Sequence, residues 1–153
     1  MAGVPLTKVQ SFMLFSLGTS QERFEERFAC KTSGMETEAG KVVAVFGVRG
    51  GVGVSTVATN LAVSVQQVQR QESVALVDLD VHGGDLGLFL DLPASQGVAH
   101  LTKDISRLDE TIIRSTLVRH SSGVTFLASG CDAYEEWKAA PGNMMRVLAL
   151  LRS

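Results

Sequence analysis

The chain has 153 residues, a length that fits one domain, and 45% of them are hydrophobic and 20% charged, enough apolar material for a core. The formal net charge of -2 gives none of the broad positive field that non-specific nucleic-acid binding needs, so a nucleic-acid partner would have to rest on a local patch. The two cysteines, Cys30 and Cys131, lie far apart in no metal-like spacing and read as free thiols of a reducing compartment. No apolar stretch reaches the length of a membrane-spanning helix.

The first forty residues carry few signals. Lys8 precedes a short apolar run, Phe12-Met13-Leu14-Phe15, which looks like a poor secretory signal without a clean cleavage site. The preferred reading is a leader, a short packed segment or the remains of an upstream domain. Gln21 to Arg27 is charged and suits a solvated helical turn or two. Lys31 to Gly40 is polar and reads as a linker. Residues 1–40 are therefore set apart as a leader or linker, disordered or a remnant, and residues 41–153 as the folded domain.

From Lys41 the pattern changes. Val42-Val43-Ala44-Val45-Phe46 is a continuous apolar run rich in β-branched residues, which predicts a strand buried on both faces of a parallel sheet. Residues 55 to 69 then follow a helical period. Val57, Ala58, Leu61, Ala62, Val65 and Val68 are expected inward, with Thr59, Asn60, Gln66 and Gln67 opposite. Ser73 to Asp80 predicts a second buried strand that ends in acids. Parallel strands joined this way take a right-handed crossover. Ser106 to Asp109 fits a capping box opening a helix through about Arg119, with Gly123 placed to close it. Gly123 to Ala128 predicts a third buried strand. Tyr134 to Ala140 is ambiguous, and Met144 to Arg152 is helical behind a first-turn Pro141. The fold class is α/β, three-layered, with a parallel sheet.

The segment Phe46 to Thr56 reads FGVRGGVGVST. Glycines between a buried strand and a helix let the backbone curl until successive N–H groups point inward, and the helix N-terminus adds partial positive charge. Gly50, Gly51 and Gly53 would form this phosphate nest. Ser55 is placed to offer its hydroxyl to Mg2+ beside the β- and γ-phosphates. The general pattern G-x-x-x-x-G-K-[ST] is missed twice, by Val48 at the first glycine and Val54 at the lysine. A plain Gly-rich packing turn is the competing reading.

The stretch RGGVGVST resembles the deviant P-loop of the ParA/MinD superfamily, K-G-G-x-G-K-[ST]-[ST], with Arg49 and Val54 at the two lysines. The following VATNLA and Leu76-Val77-Asp78-Leu79-Asp80 are also similar to that superfamily. The resemblance implies that Arg49, Gly50, Gly51, Val52, Gly53, Val54, Ser55 and Thr56 hold ATP or ADP with Mg2+, that Ser55 is the metal ligand, and that Asp80 positions or activates the attacking water. Asp78 would support the loop. Asp78-Leu79-Asp80, Gly84-Asp85, Leu88 to Leu92, Arg107-Leu108-Asp109 and Ser122-Gly123 narrow the resemblance to the CpaE/TadZ branch, which contains Flp (tight-adherence) pilus-assembly and polar-localisation proteins. It covers Lys41 to about Ser153. It implies a homodimer, partners in pilus or secretion machinery at the inner membrane, and a cytoplasmic, peripheral or polar location.

The departures set the expected activity. A P-loop lysine makes charge-assisted hydrogen bonds worth roughly 1.5–3 kcal/mol each, so its loss weakens nucleotide binding about ten- to a hundredfold. Hydrolysis suffers more, because charge builds on the transferred phosphoryl group. Arg49 could reach a partner's phosphates across a nucleotide-sandwich dimer with its planar fork. In the family the Walker B strand follows the last helix, so the chain reads as truncated before that strand. An isolated chain of this kind is expected to be marginally stable or to self-associate. Three readings stay open: a weakly or non-hydrolysing nucleotide-binding assembly factor, a non-enzymatic scaffold with a vestigial P-loop, and a partitioning or septum-site ATPase. His82, just after the D-x-D motif, is placed where it could face phosphate. His100 and His120 are expected at the surface. Trp137 beside Tyr134 reads as partly buried, and Met144, Met145, Leu148 and Leu151 as core.

Overall fold

A computed structural model of the protein describes residues 13–17, 40–47, 49–70, 73–80, 84–93, 96–103, 105–130 and 141–152; for 13–17 the backbone alone is considered. The expectations for Gln21 to Arg27, Lys31 to Ala39, Cys30, Val48, His82, Cys131, Tyr134, Trp137 and the ambiguous stretch from Tyr134 to Ala140 lie outside the described residues.

Among the described residues five strands form one sheet: β1 (Met13–Leu17), β2 (Val42–Phe46), β3 (Ala75–Asp78), β4 (Val118–Arg119) and β5 (Thr125–Leu127), in the order β2-β1-β3-β5-β4. The helices are α1 (Val54–Val68), α2 (Leu86–Phe89), α3 (Val98–Lys103), α4 (Glu110–Thr116) and α5 (Pro141–Leu151). The three strands expected from the sequence are β2, β3 and β5. Two more complete the sheet. Met13–Leu17 pairs in parallel with β2 on one side and with β3 on the other. The sheet is also mixed rather than wholly parallel, because β4 runs antiparallel to β5.

Strand alternation divides the core into two halves and makes three layers. Leu76 and Phe126 point to one face, where they meet Ala58 and Ala62 of α1 and Leu86 of α2. Val77 and Leu127 point to the other, where Val98, Leu101, Ile113, Val147, Leu148 and Leu151 pack. Val43 and Val45 join the first cluster and Ala44 the second, as a period of two requires.

Four local expectations are corrected. First, β2 has one neighbour among the described strands and stands at the edge of their sheet, and Val42 and Phe46 are exposed although the run reads as buried on both faces. Second, α1 turns a different face inward. Ala58, Thr59, Ala62 and Gln66 are buried, while Val57, Leu61 and Val68 are exposed. The small alanines let α1 approach the sheet. Gln66 is buried because its side-chain oxygen accepts from the Val74 N–H at 2.9 Å, at the entrance to β3. Third, the helix near residue 110 is capped by Asp109, whose carboxylate accepts from Ile112 N–H at 2.8 Å. A 3-10 turn at Ile105–Arg107 precedes it. It ends at Thr116 because Leu117 is extended and leads into β4. Gly123 therefore serves the β4–β5 connection, with φ +95°. Fourth, in α5 Met144, Leu148 and Leu151 are buried, whereas Met145 is exposed. Among the described residues no helix is long and apolar enough to cross a membrane.

Candidate functional site: a glycine loop at the carboxyl edge of the sheet

β2 and β3 are both parallel to β1, so the loops that leave them emerge on the same edge of the sheet. Ligands of open α/β sheets bind at this carboxyl edge. The loop after β2 carries Arg49 to Gly53, and the loop after β3 carries Asp80 and Asp85.

The first loop folds back on its own base. A Cβ placed on Gly47 would stand 2.7 Å from one methyl of Val52 and 2.7 Å from one of Val54, so both valines close over this glycine. Further on, Gly51 and Gly53 have φ of +78° and +86°, conformations that L side chains rarely adopt. Left-handed residues at alternate positions are the pattern that turns successive N–H groups toward a common concavity. Nothing lies within 4 Å of the Cβ positions of Gly50, Gly51 or Gly53, so that side of the loop is open. Gly53 is also the N-cap of the 15-residue helix α1, with no side-chain cap. The first intrahelical bond runs from Val57 N–H to Gly53 O at 2.9 Å. The N–H groups of the first turn precede it and have no carbonyl within the helix to bond. An open glycine nest on an uncapped helix start is the donor set that a phosphate chain requires. Ser55 and Thr56 lie in this first turn, Ser55 half-buried and Thr56 exposed. Arg49 is exposed on the loop's outer part.

The second loop is held by Asp78, the last residue of β3. Its carboxylate is buried and accepts from Asp80 N–H at 2.9 Å and from Leu86 N–H at 3.2 Å. One side chain thus ties both ends of the connection between β3 and α2. Gly84 passes directly over it. A Cβ there would meet Ser129 Oγ at 2.4 Å and Asp78 Oδ2 at 2.6 Å. Burial pushes the Asp78 carboxyl above its usual value of 3.8; the two N–H bonds oppose this, and the charges of Asp80 and Asp85 add to it. Asp80 itself is half-buried at the site's rim.

The structure therefore brings the residues expected to hold nucleotide, Arg49 to Thr56 with Ser55 as metal ligand, to the same sheet edge as Asp80. His100 is exposed, and His120 bonds through Nδ1 to Ser122 Oγ at 2.8 Å, away from this loop in the β4–β5 turn. The sequence reading missed β1 as the strand that separates the two loops. Its apolar run was visible, but no motif announces its place.

A family model for ParA, described as the NUBPL iron-transfer P-loop NTPase, matches residues 38–118, more than half of the chain. No curated protein and no solved structure matches the chain.

Proposed function

The chain belongs to the ParA family of P-loop NTPases, and from that membership we propose that it is a nucleotide-binding regulator that holds ATP or ADP with Mg2+ weakly and hydrolyses ATP slowly or not at all. The observation that carries this reading is the open glycine nest on the uncapped start of α1. Backbone N–H groups bind phosphate without any lysine, so the loop retains part of its function when Val54 stands in the lysine position. Ser55 is the residue proposed to hold Mg2+, which supplies charge neutralisation at the β- and γ-phosphates when bound. Asp80 is proposed to orient the attacking water, on a loop whose position Asp78 fixes. Without the lysine, the developing charge on the transferred group lacks its main protein counter-charge, and hydrolysis falls further than binding does.

The finer reading is an assembly or positioning factor of a Flp/Tad-type pilus system, working as a homodimer on secretion machinery at the inner membrane or cell pole. The pair Gly84-Asp85, the run Leu88 to Leu92 and Arg107-Leu108-Asp109 support it by resemblance to the CpaE/TadZ branch. Exposed apolar residues around the loop, Phe46, Val52 and Val57, support self-association. A vestigial-loop scaffold is the second reading. It is favoured by the packing of Val54 against Gly47, which commits the lysine position to an apolar contact.

Calorimetric titration of the chain with ATP and Mg2+ separates the two. A nucleotide-binding regulator gives saturable weak binding with hydrolysis near background. No heat at millimolar nucleotide leaves the scaffold.

A further inference from the structure

The geometry points to Met13–Leu17 as an insertable central strand that holds the phosphate loop and the Asp80 loop at their working separation. This deepens the nucleotide-binding reading and rests on it for its functional consequence.

The order β2-β1-β3 makes β1 the sole described strand that joins the P-loop strand to the rest of the sheet. Five residues of β1 register with Val42–Phe46, and four register with Ala75–Asp78. Phe15 stands opposite Ala44 on one side and Val77 on the other. Neighbouring strands lie about 4.8 Å apart, so with β1 in place β2 and β3 are roughly 10 Å apart. Without it, β2 has no ladder partner among the described strands. Its other ties among the described residues include α1, which packs on it, the core contacts of Val43, Ala44 and Val45, and, just ahead of the strand, Gly40, whose carbonyl accepts from Arg152 Nε at 2.8 Å. A collapse of β2 onto β3 would carry Gly50 to Ser55 about 5 Å toward Asp80, closing the gap that a phosphate chain and its cation fill.

β1 is also remote from what it joins. A parallel connection needs about a dozen residues, and residues 18–41 separate β1 from β2 with more than that. Among the described residues its contacts with β2, β3 and α1 are all distant in sequence. β3 and β5, by contrast, pair directly with each other. Insertion of β1 and binding of nucleotide are then linked. A ligand that needs the β2–β3 spacing stabilises the inserted strand by the same factor that insertion improves ligand binding.

The test is hydrogen exchange on the full chain, wild type and Phe15→Pro, with and without a peptide of residues 8–22. A proline at position 15 removes a ladder N–H and clashes within the strand. The expected result has three parts. The amides of 13–17 are protected in the wild type. Phe15→Pro selectively loses protection in 42–46 while 75–78 and 125–127 keep theirs. The wild-type peptide restores 42–46. Unprotected amides at 13–17 in a wild type whose 75–78 are protected would overturn the proposal, as would a Phe15→Pro chain with unchanged 42–46. If Phe15→Pro does not fold, the wild-type amides at 13–17 decide alone. ATP with Mg2+ at ten times its dissociation constant should raise protection at 13–17 about tenfold. A wild type that shows the strand behaviour but binds no nucleotide keeps the central strand and refutes the nucleotide reading instead.

Discussion

Val54→Lys restores the residue that the loop lacks, and its effect follows from the geometry. Val54 is the first residue of α1, immediately after the left-handed Gly53, and its methyl closes on Gly47. Replacing it removes part of that contact, at a cost of about 0.8 kcal/mol per buried methylene. Lysine is a slightly better helix former than valine, which offsets some of this. The four-carbon stem can leave the base of the loop and place an ammonium at its open side. A charge-assisted hydrogen bond to phosphate is worth roughly 1.5–3 kcal/mol. The net expectation is a tenfold or greater gain in affinity for ATP with Mg2+, approaching a hundredfold if the stem meets no obstruction. Calorimetric titration of the two proteins measures it, with circular dichroism to show that the variant is folded. AMP provides a control, since it has no β- or γ-phosphate and should gain little. A folded Val54→Lys protein that binds ATP no tighter than the wild type would refute the reasoning, because the loop would then not present this position to a phosphate chain.

Other substitutions test separate parts of the account. Gln66→Ala leaves the buried Val74 N–H without its 2.9 Å acceptor, at a cost of about 1–3 kcal/mol, and thermal melts should fall by roughly 2–4 °C for each kcal/mol. An unchanged melting temperature would mean that Gln66 contributes nothing there. Asp78→Asn addresses pH. Because the folded carboxyl titrates above its usual 3.8, the native state holds the proton more tightly, and this group's contribution to stability declines as pH rises from that value through the raised one. Denaturant melts across this range should show wild type losing stability relative to Asp78→Asn as pH increases; a parallel pair of profiles contradicts the assignment. Arg49→Ala should weaken ATP-dependent dimerisation in sedimentation experiments if Arg49 reaches a partner's phosphates, and equal dimerisation would remove that role.

Much of the candidate site is legible in the sequence, because a loop built to hold phosphate constrains the backbone itself. Gly51 and Gly53 occupy positive-φ positions that few other residues tolerate, so the chemistry is written as glycine spacing. Asp78 ends a strand that reads as buried and is, and Asp80 follows two residues later on the loop. The order of the sheet is much less legible. Nothing in Val42 to Phe46 distinguishes an edge strand from a central one, because the run records apolar content and not the number of neighbours. β1 was harder still. Five residues without turn signals or motif are placed by partners far along the chain. On α1 the helical period was correct and the face was not. Periodicity weighs Val57, Leu61 and Val68 as core, whereas close approach to the sheet selects Ala58 and Ala62 and lets Gln66 satisfy a backbone donor. The helix at 110–116 was overextended because β4 competes for its last turn, and a two-residue strand has no sequence signature of its own.

The central claim is that the glycine loop binds a phosphate chain through its backbone. Amide chemical shifts of the isotopically labelled wild-type chain, followed through a titration with ATP and Mg2+ and a parallel titration with AMP, test it most directly. The account predicts saturable shifts at Gly50, Gly51, Gly53 and Ser55 with ATP and much smaller ones with AMP. Shifts absent from these four amides at saturating ATP, or the same with AMP as with ATP, would contradict it.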